Sequence, residues 1–157
     1  MTRTYQTYRD IYFTSRDGLR LYGRHYPAMF RDGTEHRPLL CLAGLTRNGR
    51  DFHVLAEDIA RRADAPRDVY TFDYRGRGFS ESDPEWQNYT VPLEMLDVLD
   101  FLTVMGLSQP AIIGTSRGGL IAMVMAAAQP RSVGPVVLND IGPVIEQKGL
   151  GRISAYV

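Results

Sequence analysis

The chain of 157 residues carries 18 Lys and Arg against 18 Asp and Glu, so its formal net charge is zero. This balance argues against a nucleic-acid binder that works through a basic stripe and against a polybasic membrane anchor. Apolar residues make up 44% and charged residues 23%, which is typical of a folded domain. The single Cys fits a reducing compartment. The sequence shows neither a secretory signal nor an apolar run long enough to cross a membrane, so we predict a soluble cytoplasmic protein.

Two segments near the amino terminus predict an antiparallel hairpin. Residues 9–15 and 19–26 are rich in aromatic and aliphatic side chains. Asp17 and Gly18 lie between them, and this dipeptide is a strong signal for a tight turn between two strands. We therefore expect the fold to begin with a β-hairpin.

After the hairpin, short apolar runs alternate with helical segments. The runs suit strands that are buried on both faces of a sheet, and they cover residues 38–43, 69–73, 111–115 and 136–139. The helical segments cover residues 51–63, 91–105 and 118–128. This alternation predicts βαβ units. The expected fold class is α/β, with a mostly parallel, doubly wound sheet behind the leading antiparallel hairpin.

The first two helical segments each carry one apolar side. In the first, this side is formed by Phe52, Leu55, Ala56 and Ile59, and in the second by Met95, Leu96, Leu99, Leu102 and Val104. Thr90 precedes the second segment and is a candidate N-cap, because its hydroxyl can accept a hydrogen bond from the first turn. Gly106 follows that segment and is a candidate helix stop.

The segment Gly114-Thr115-Ser116-Arg117-Gly118 matches the pattern G-x-S-x-G. It follows a predicted buried strand and opens a predicted helix, which is the setting of a nucleophile elbow. The two glycines leave room for a sharp turn that exposes the Ser116 hydroxyl at the carboxyl end of the sheet. We predict Ser116 as a catalytic nucleophile. The alternative is a plain strand-to-helix turn with a serine cap.

A second loop, after the run at residues 38–43, offers a partner for this serine. Gly44 would allow a sharp turn that leaves the backbone N–H of Leu45 free. Together with the N–H of Arg117 at the helix N-terminus, it would form an oxyanion hole with two donors. The alternative is a glycine turn without a catalytic part.

The loop at residues 73–80 has the sequence DYRGRGFS, in which Asp73 and Arg75 are expected to brace a tight turn by hydrogen bonds. With the hairpin, the oxyanion loop, the elbow and the segment NDIGP at 139–143, this loop makes the chain resemble the α/β-hydrolase fold family over residues 8–140. The resemblance implies a Ser-His-acid hydrolase that acts on a small molecule. The bond that it cleaves would be an ester or a related acyl bond, possible examples being a lactone or a carbon–carbon bond. It implies no metal and no organic cofactor.

The resemblance also implies that an acid and then a histidine follow the serine in the chain. All three histidines instead precede Ser116, at positions His25, His36 and His53. Asp140, at the end of a predicted strand, is a minority candidate for the acid, and a loop-bracing role is its alternative. His53 is a candidate base only if its helix aims it at Ser116, and His25 and His36 are expected to be solvated. We therefore expect the fold to be incomplete at its carboxyl end, with the histidine outside this chain.

The implied organisation is a partial core at residues 1–140 and the start of a cap at residues 141–157. Trp86 and Tyr89 either line a substrate pocket or pack a loop against the sheet. Cys41 is expected to be a core residue. Because the triad is incomplete, we expect poor catalysis from the chain alone, and a second function stays open: a non-catalytic ligand-binding or interaction module on the same scaffold.

Overall fold

A computed structural model describes residues 6–31, 33–34, 36–142 and 144 of the protein. Its strands are β1 (Arg9–Thr14), β2 (Arg20–Tyr26), β3 (Leu39–Leu42), β4 (Val69–Asp73), β5 (Ala111–Thr115) and β6 (Val136–Asn139). Its helices are α1 (His53–Ala60), α2 (Val91–Met105) and α3 (Arg117–Ala128). Short 3-10 turns span Gly49–Phe52, Trp86–Asn88 and Pro130–Ser132. Apart from residues 141, 142 and 144, the predicted start of a cap lies outside the described residues.

The strands form one six-stranded sheet in the order β1-β2-β4-β3-β5-β6. β1 and β2 form the predicted antiparallel hairpin, with Gly18 at φ +95° in the turn between them. β2 also runs antiparallel to β4, whereas β4, β3, β5 and β6 are mutually parallel. The predicted α/β class and the leading hairpin are therefore confirmed. The parallel strands all end at one edge of the sheet, and their last residues are Leu42, Asp73, Thr115 and Asn139.

Helices cover both faces of the sheet and divide the core in two. On one face, α2 and α3 pack on side chains that include Leu40, Phe72 and Ile112. On the other face, α1 packs on a smaller cluster that includes Cys41 and Val69. Cys41 is fully buried, as predicted, and burial raises the pKa of its thiol to about 12. No helix among the described residues is long and apolar enough to cross a bilayer.

The ends of α2 follow the local signals in the sequence. The Thr90 hydroxyl accepts a hydrogen bond from the N–H of Leu93 at 3.4 Å, and Gly106 lies in the left-handed region at φ +64°. The predicted N-cap at Thr90 and the predicted stop at Gly106 are both confirmed. They work because each is a property of one turn of backbone and needs no distant partner.

Three details of the predicted burial are wrong. β6 was expected to be buried on both faces, but Val136 and Val137 are exposed because β6 is the outermost strand of the described sheet. The first helix begins later and ends earlier than predicted, and Leu55 is exposed because α1 faces the sheet through residues four apart, Phe52, Ala56 and Ala60. Val104, on the last turn of α2, is also exposed.

Candidate active site

Ser116 lies at the turn between β5 and α3, with φ +50° and ψ −112°. This backbone conformation is rare for a residue with a side chain and has to be held by its surroundings. The N–H of Ser116 donates to the carbonyl oxygen of Asn139 at 2.9 Å. The carbonyl oxygen of Ser116 accepts hydrogen bonds from the N–H groups of Gly119 at 2.9 Å and Leu120 at 3.1 Å. The turn is therefore fixed on one side by β6 and on the other by the first turn of α3.

The glycines around Ser116 are required by close packing. A Cβ atom on Gly114 would lie 2.6 Å from the carbonyl oxygen of Gly118. A Cβ atom on Gly118 would collide with the carbonyl oxygen of Leu42 at the end of β3. A Cβ atom on Gly119, which lies outside the G-x-S-x-G pattern, would lie 2.5 Å from the Ile141 side chain. The start of α3 thus packs directly on the backbone of two strands.

The loop after β3 comes close to Ser116 through Gly44. A Cβ atom on Gly44 would lie 3.8 Å from the Cβ of Ser116, which is an ordinary contact. The N–H of Arg47 donates to the Gly44 carbonyl at 3.1 Å and closes a turn, hereafter the 44–47 turn. Gly44 itself is not in the left-handed region, so this turn does not demand glycine there. Within the part of the chain that the structure describes, nothing accepts a hydrogen bond from the N–H of Leu45 or of Arg117.

These two loops face a common cavity of about 590 Å³. Its lining includes Ser116, the 44–47 turn, the last residue of β6, Asn139, and the residue after it, Asp140. Asp140 has φ +54°, and the backbone of Asn139 next to it holds Ser116 by the hydrogen bond described above. The volume is within the range of small-molecule sites. We call it the serine cavity.

Side chains from the loop after β4 hold the loop after β3 in place. The Tyr74 hydroxyl donates to the Ala43 carbonyl at 3.1 Å, and Nε of Arg77 donates to the Leu45 carbonyl at 3.0 Å. The carboxylate of Asp73 accepts from the N–H of Gly49 at 2.7 Å and also from the N–H of Phe79 in its own loop at 3.1 Å. Burial raises the pKa of Asp73, and these two hydrogen bonds partly offset the effect. Asp73 therefore braces the turn, as predicted.

Arg75 braces the same loop from the opposite side of the sheet. Its guanidinium is fully buried and binds both carboxylate oxygens of Asp97 in α2, at 2.8 and 2.7 Å. It also donates to Asp83 at 2.7 Å and to Asp17, in the hairpin turn, at 2.8 Å. One cation thus ties the hairpin, the loop after β4 and α2 together. The loop sequence predicted a bracing role for Arg75, but none of these partners.

Arg117 points its side chain away from the elbow. Its Nε donates to Glu94 in α2 at 2.6 Å, and its Nη2 donates to the Tyr89 carbonyl at 3.1 Å. Burial raises the pKa of Glu94, against the lowering effect of Arg117. The Tyr89 ring packs against Gly76, whereas Trp86 is 78% exposed. Neither aromatic residue lines the serine cavity.

None of the three histidines is among the described residues that line the serine cavity. His53 lies within 3.0 Å of the Tyr26 hydroxyl through Nδ1, and its Nε2 is 3.6 Å from Glu57. The expectation that His25 is solvated is wrong. Its side chain is 16% exposed, its ring stacks on Tyr70 at 4.5 Å, and burial lowers its pKa. The antiparallel register places His25 beside the start of β4, at the far end of the sheet from Ser116.

Comparison with known proteins decides the family. The pattern of the family described as "alpha/beta hydrolase fold" matches residues 37–150, more than half of the chain. The chain belongs to the α/β-hydrolase fold family. The resemblance seen in the sequence motifs is therefore confirmed. Among the described residues, no group of His, Cys, Asp and Glu is arranged to hold a metal ion.

This α/β hydrolase is similar to proteins of known sequence and to proteins of known structure. It is 34% identical over 126 residues to a 3-hydroxybutyrate-oligomer hydrolase of Cupriavidus necator, covering 80% of this chain and 42% of the relative. It is 33% identical over 106 residues to an sn-1-specific diacylglycerol lipase of Danio rerio, covering 68% of this chain and 32% of the relative.

An α/β hydrolase from Novosphingobium aromaticivorans superposes with a TM-score of 0.83 and 40% identity, over 96% of this chain and 50% of that one. A marine microorganism esterase gives a TM-score of 0.69 and 26% identity, over 88% of this chain and 48% of that one. The chain thus spans half or less of the length of these four proteins. They support a hydrolase related to esterases and lipases.

Proposed function

We propose that this chain carries the nucleophile and the oxyanion hole of a serine hydrolase that cleaves esters or related acyl bonds of small molecules. Ser116 is the proposed nucleophile, and the N–H groups of Leu45 and Arg117 are the proposed oxyanion donors. The strained backbone of Ser116, held from both sides at the wall of a cavity, is the observation that supports this most strongly. Strain that is maintained by surrounding packing is typical of functional positions.

In the proposed reaction, Oγ of Ser116 attacks the carbonyl carbon of the substrate and its proton passes to a general base. The tetrahedral intermediate places its negative oxygen on the two N–H groups, each of which is worth roughly 3–4 kcal/mol in other hydrolases. Collapse of the intermediate breaks the acyl bond, and the base returns its proton to the leaving alcohol. Water then attacks the acyl-serine, which releases a carboxylic acid and restores Ser116.

The general base of this reaction is proposed to be a histidine outside these 157 residues. Asp140 faces the serine cavity and is retained as a candidate for the acid that orients this histidine. The division into a core at residues 1–140 and the start of a cap at residues 141–157 is likewise part of the proposal. Without a base, loss of activity on the order of 10⁴-fold is expected.

The proposed substrates are carboxylic esters of modest size. By their names, the relatives act on oligomers of 3-hydroxybutyrate and on diacylglycerol, and both compounds contain ester bonds. The serine cavity, at about 590 Å³, is of the size that holds one small acyl group with its alcohol. A short panel of esters with increasing acyl length is the direct way to rank them.

A second candidate function is a non-catalytic ligand-binding module on the same scaffold. The observation that favours it is that no described residue lining the serine cavity is a histidine. Such a module would bind an ester or acid in the cavity without attacking it.

A fluorophosphonate, which labels activated serines, separates the two functions. The measurement is the intact mass of the protein produced from the whole coding sequence, before and after treatment with the fluorophosphonate. The proposed hydrolase should gain one adduct, which Ser116→Ala abolishes. Ser132→Ala is the matched control, since the Ser132 hydroxyl donates to the Gln129 carbonyl in a surface turn, and it should label fully. A folded protein without an adduct on Ser116 would contradict the proposal and favour the binding module.

A further inference from the structure

A second cavity, of about 540 Å³, lies over the β1–β2 hairpin on the face of the sheet that carries α1. We call it the hairpin cavity. Its lining includes Tyr8, Asp10, Tyr22, Arg24, Arg50 and His53, and it shares no lining residue with the serine cavity. The proposed hydrolysis uses none of these residues.

Strand alternation explains why polar and aromatic side chains collect here. Successive residues of a strand point to opposite faces of the sheet. In β2, Leu21 packs into the core cluster beneath α2, whereas its neighbours Tyr22 and Arg24 face the hairpin cavity. Asp10 of β1 is the cross-strand partner of Arg24 and faces the same cavity.

Arg24 is the unusual residue of this cavity, because it is only 7% exposed and makes no ion pair within 4.0 Å with an acid of the described chain, although its charge also lowers the pKa of Asp73 in β4. Its Nε donates to the Tyr22 hydroxyl at 2.9 Å, and its guanidinium carbon lies 4.4 Å from the centre of the Tyr8 ring. The Tyr22 hydroxyl in turn donates to Asp10. The nearest acid on the partner strand is thus engaged by a phenol instead of by the cation.

The cation is nevertheless maintained. Burial disfavours the charged guanidinium, but the hydrogen bond to the Tyr22 hydroxyl and the nearby Tyr26 hydroxyl outweigh this effect, and the pKa of Arg24 is raised. Buried charges in proteins are normally paired with an opposite charge. Arg24 is surrounded by neutral phenol groups and faces an open cavity. An anion that binds in this cavity can therefore supply the counter-charge.

We infer that the hairpin cavity binds a small organic carboxylate, with Arg24 as its charged anchor and the rings of Tyr8 and Tyr22 as its walls. A planar carboxylate matches the fork of a guanidinium, and its single negative charge balances the excess of Arg24 and Arg50 over Asp10 in the cavity lining. A doubly charged phosphate fits less well, because Asp10 adds a negative charge to the same cavity. Arg50 and His53 lie at the cavity wall formed by the segment that leads into α1.

This site is separate from the serine cavity although the two are neighbours. The 3-10 turn at Gly49–Phe52 stands between them, since Arg50 lines the hairpin cavity and Asp51 and Phe52 line the serine cavity. A carboxylate bound at Arg24 therefore leaves the space around Ser116 free. This separation allows the two sites to be tested independently.

Isothermal titration calorimetry with sodium benzoate tests the inference. Benzoate should bind with a stoichiometry of one, and benzyl alcohol, which keeps the ring without the charge, should bind at least about tenfold more weakly. Arg24→Gln should weaken benzoate by about tenfold or more, because a charge-assisted hydrogen bond is lost. Arg62→Gln is the matched control, since Arg62 pairs with Asp64 on the surface and is not part of the cavity lining, and it should bind like the wild type. Ser116→Ala should also bind normally.

Several results would overturn the inference: no benzoate binding to the wild type, unchanged binding to Arg24→Gln, or tighter binding of inorganic phosphate than of benzoate. If Arg24→Gln does not fold by circular dichroism, Arg50→Gln at the exposed wall replaces it, with a smaller loss of affinity expected. Amide NMR shifts caused by benzoate should then cluster at residues 22–24 and 50–53. Shifts confined to residues 44–47 and 115–117 would place the benzoate in the serine cavity and reject the hairpin site.

Discussion

The two loops that meet at the serine cavity are held in place in opposite ways. The elbow is fixed by backbone packed on backbone, since Gly114 and Gly118 leave no space for a Cβ atom. The 44–47 turn is held from outside, by hydrogen bonds from the side chains of Tyr74 and Arg77. A backbone contact cannot be weakened in small steps, whereas each side-chain bond can be removed alone. A substitution in the elbow should therefore cause a large loss of stability in one step, whereas substitutions around the 44–47 turn should each cause a small loss.

The largest effect is expected from Gly118→Ala. The added methyl group collides with the Leu42 carbonyl, so α3 has to move away from β3. Overpacking of this kind costs about 1–3 kcal/mol, and more where backbone blocks the relaxation. We expect a lower midpoint in urea unfolding and no fluorophosphonate adduct on Ser116. An unfolding midpoint equal to that of the wild type would show that the elbow relaxes easily and is no more rigid than the 44–47 turn.

Asp73→Asn should come next. The carboxylate accepts hydrogen bonds from the N–H groups of Gly49 and Phe79, but an amide can accept only one of them and turns its own NH₂ toward the other. Leaving a buried donor without an acceptor costs about 1–3 kcal/mol, which urea unfolding measures. Asp64→Asn, an exposed acid paired with Arg62, is the control and should change stability little. Equal stabilities of the two variants would contradict the bracing role of Asp73.

Tyr74→Phe and Arg77→Gln should have smaller, separable effects. Each removes one donor to a single carbonyl of the loop after β3 and should destabilise the protein by about 1 kcal/mol, the lower end of the range for a buried group left unpaired. If the loop positions the oxyanion hole, the rate of fluorophosphonate labelling should fall even under conditions in which the variant is fully folded. The double variant reports whether the two bonds act independently, because independent losses add. Unchanged labelling rates in both variants would contradict a role of these two hydrogen bonds in positioning the oxyanion hole.

Gly44→Ala should have the smallest effect. A methyl group there meets its neighbours at 3.8 Å, and the backbone conformation does not require glycine. We expect stability within about 0.5 kcal/mol of the wild type and normal labelling of Ser116. Since the chemical change equals that of Gly118→Ala, the pair isolates the packing of the elbow. A large loss in Gly44→Ala would mean that the 44–47 turn is as rigid as the elbow.

The features that the sequence predicted well depend on neighbours along the chain. The caps of α2 at Thr90 and Gly106 are settled within single turns. The predicted runs at 69–73, 111–115 and 136–139 match the strands residue for residue, because apolar runs bounded by polar or small residues mark where strands stop. The setting of the G-x-S-x-G pattern followed from these boundaries.

The features that were missed depend on partners far away in the sequence. Arg75 collects carboxylates from the hairpin turn and from α2, and no local pattern identifies them. The exposure of β6 depends on its place in the strand order. The hairpin cavity had one signal that was overlooked: the alternation in residues 20–26 places Tyr22 and Arg24 on one face of the strand. That alternation places a cation on a strand face, but it does not identify the groups that surround the cation.

The glycines of the elbow also constrain how this protein can evolve. Positions 114 and 118 accept no side chain without displacing α3 or β3, so variation there is opposed by the loss of stability. Variation that changes which molecules enter the serine cavity has to come from lining side chains that do not hold the elbow, such as Leu45 and Thr46. A mutational library aimed at those two positions should therefore keep most of its members folded while it samples new pocket shapes.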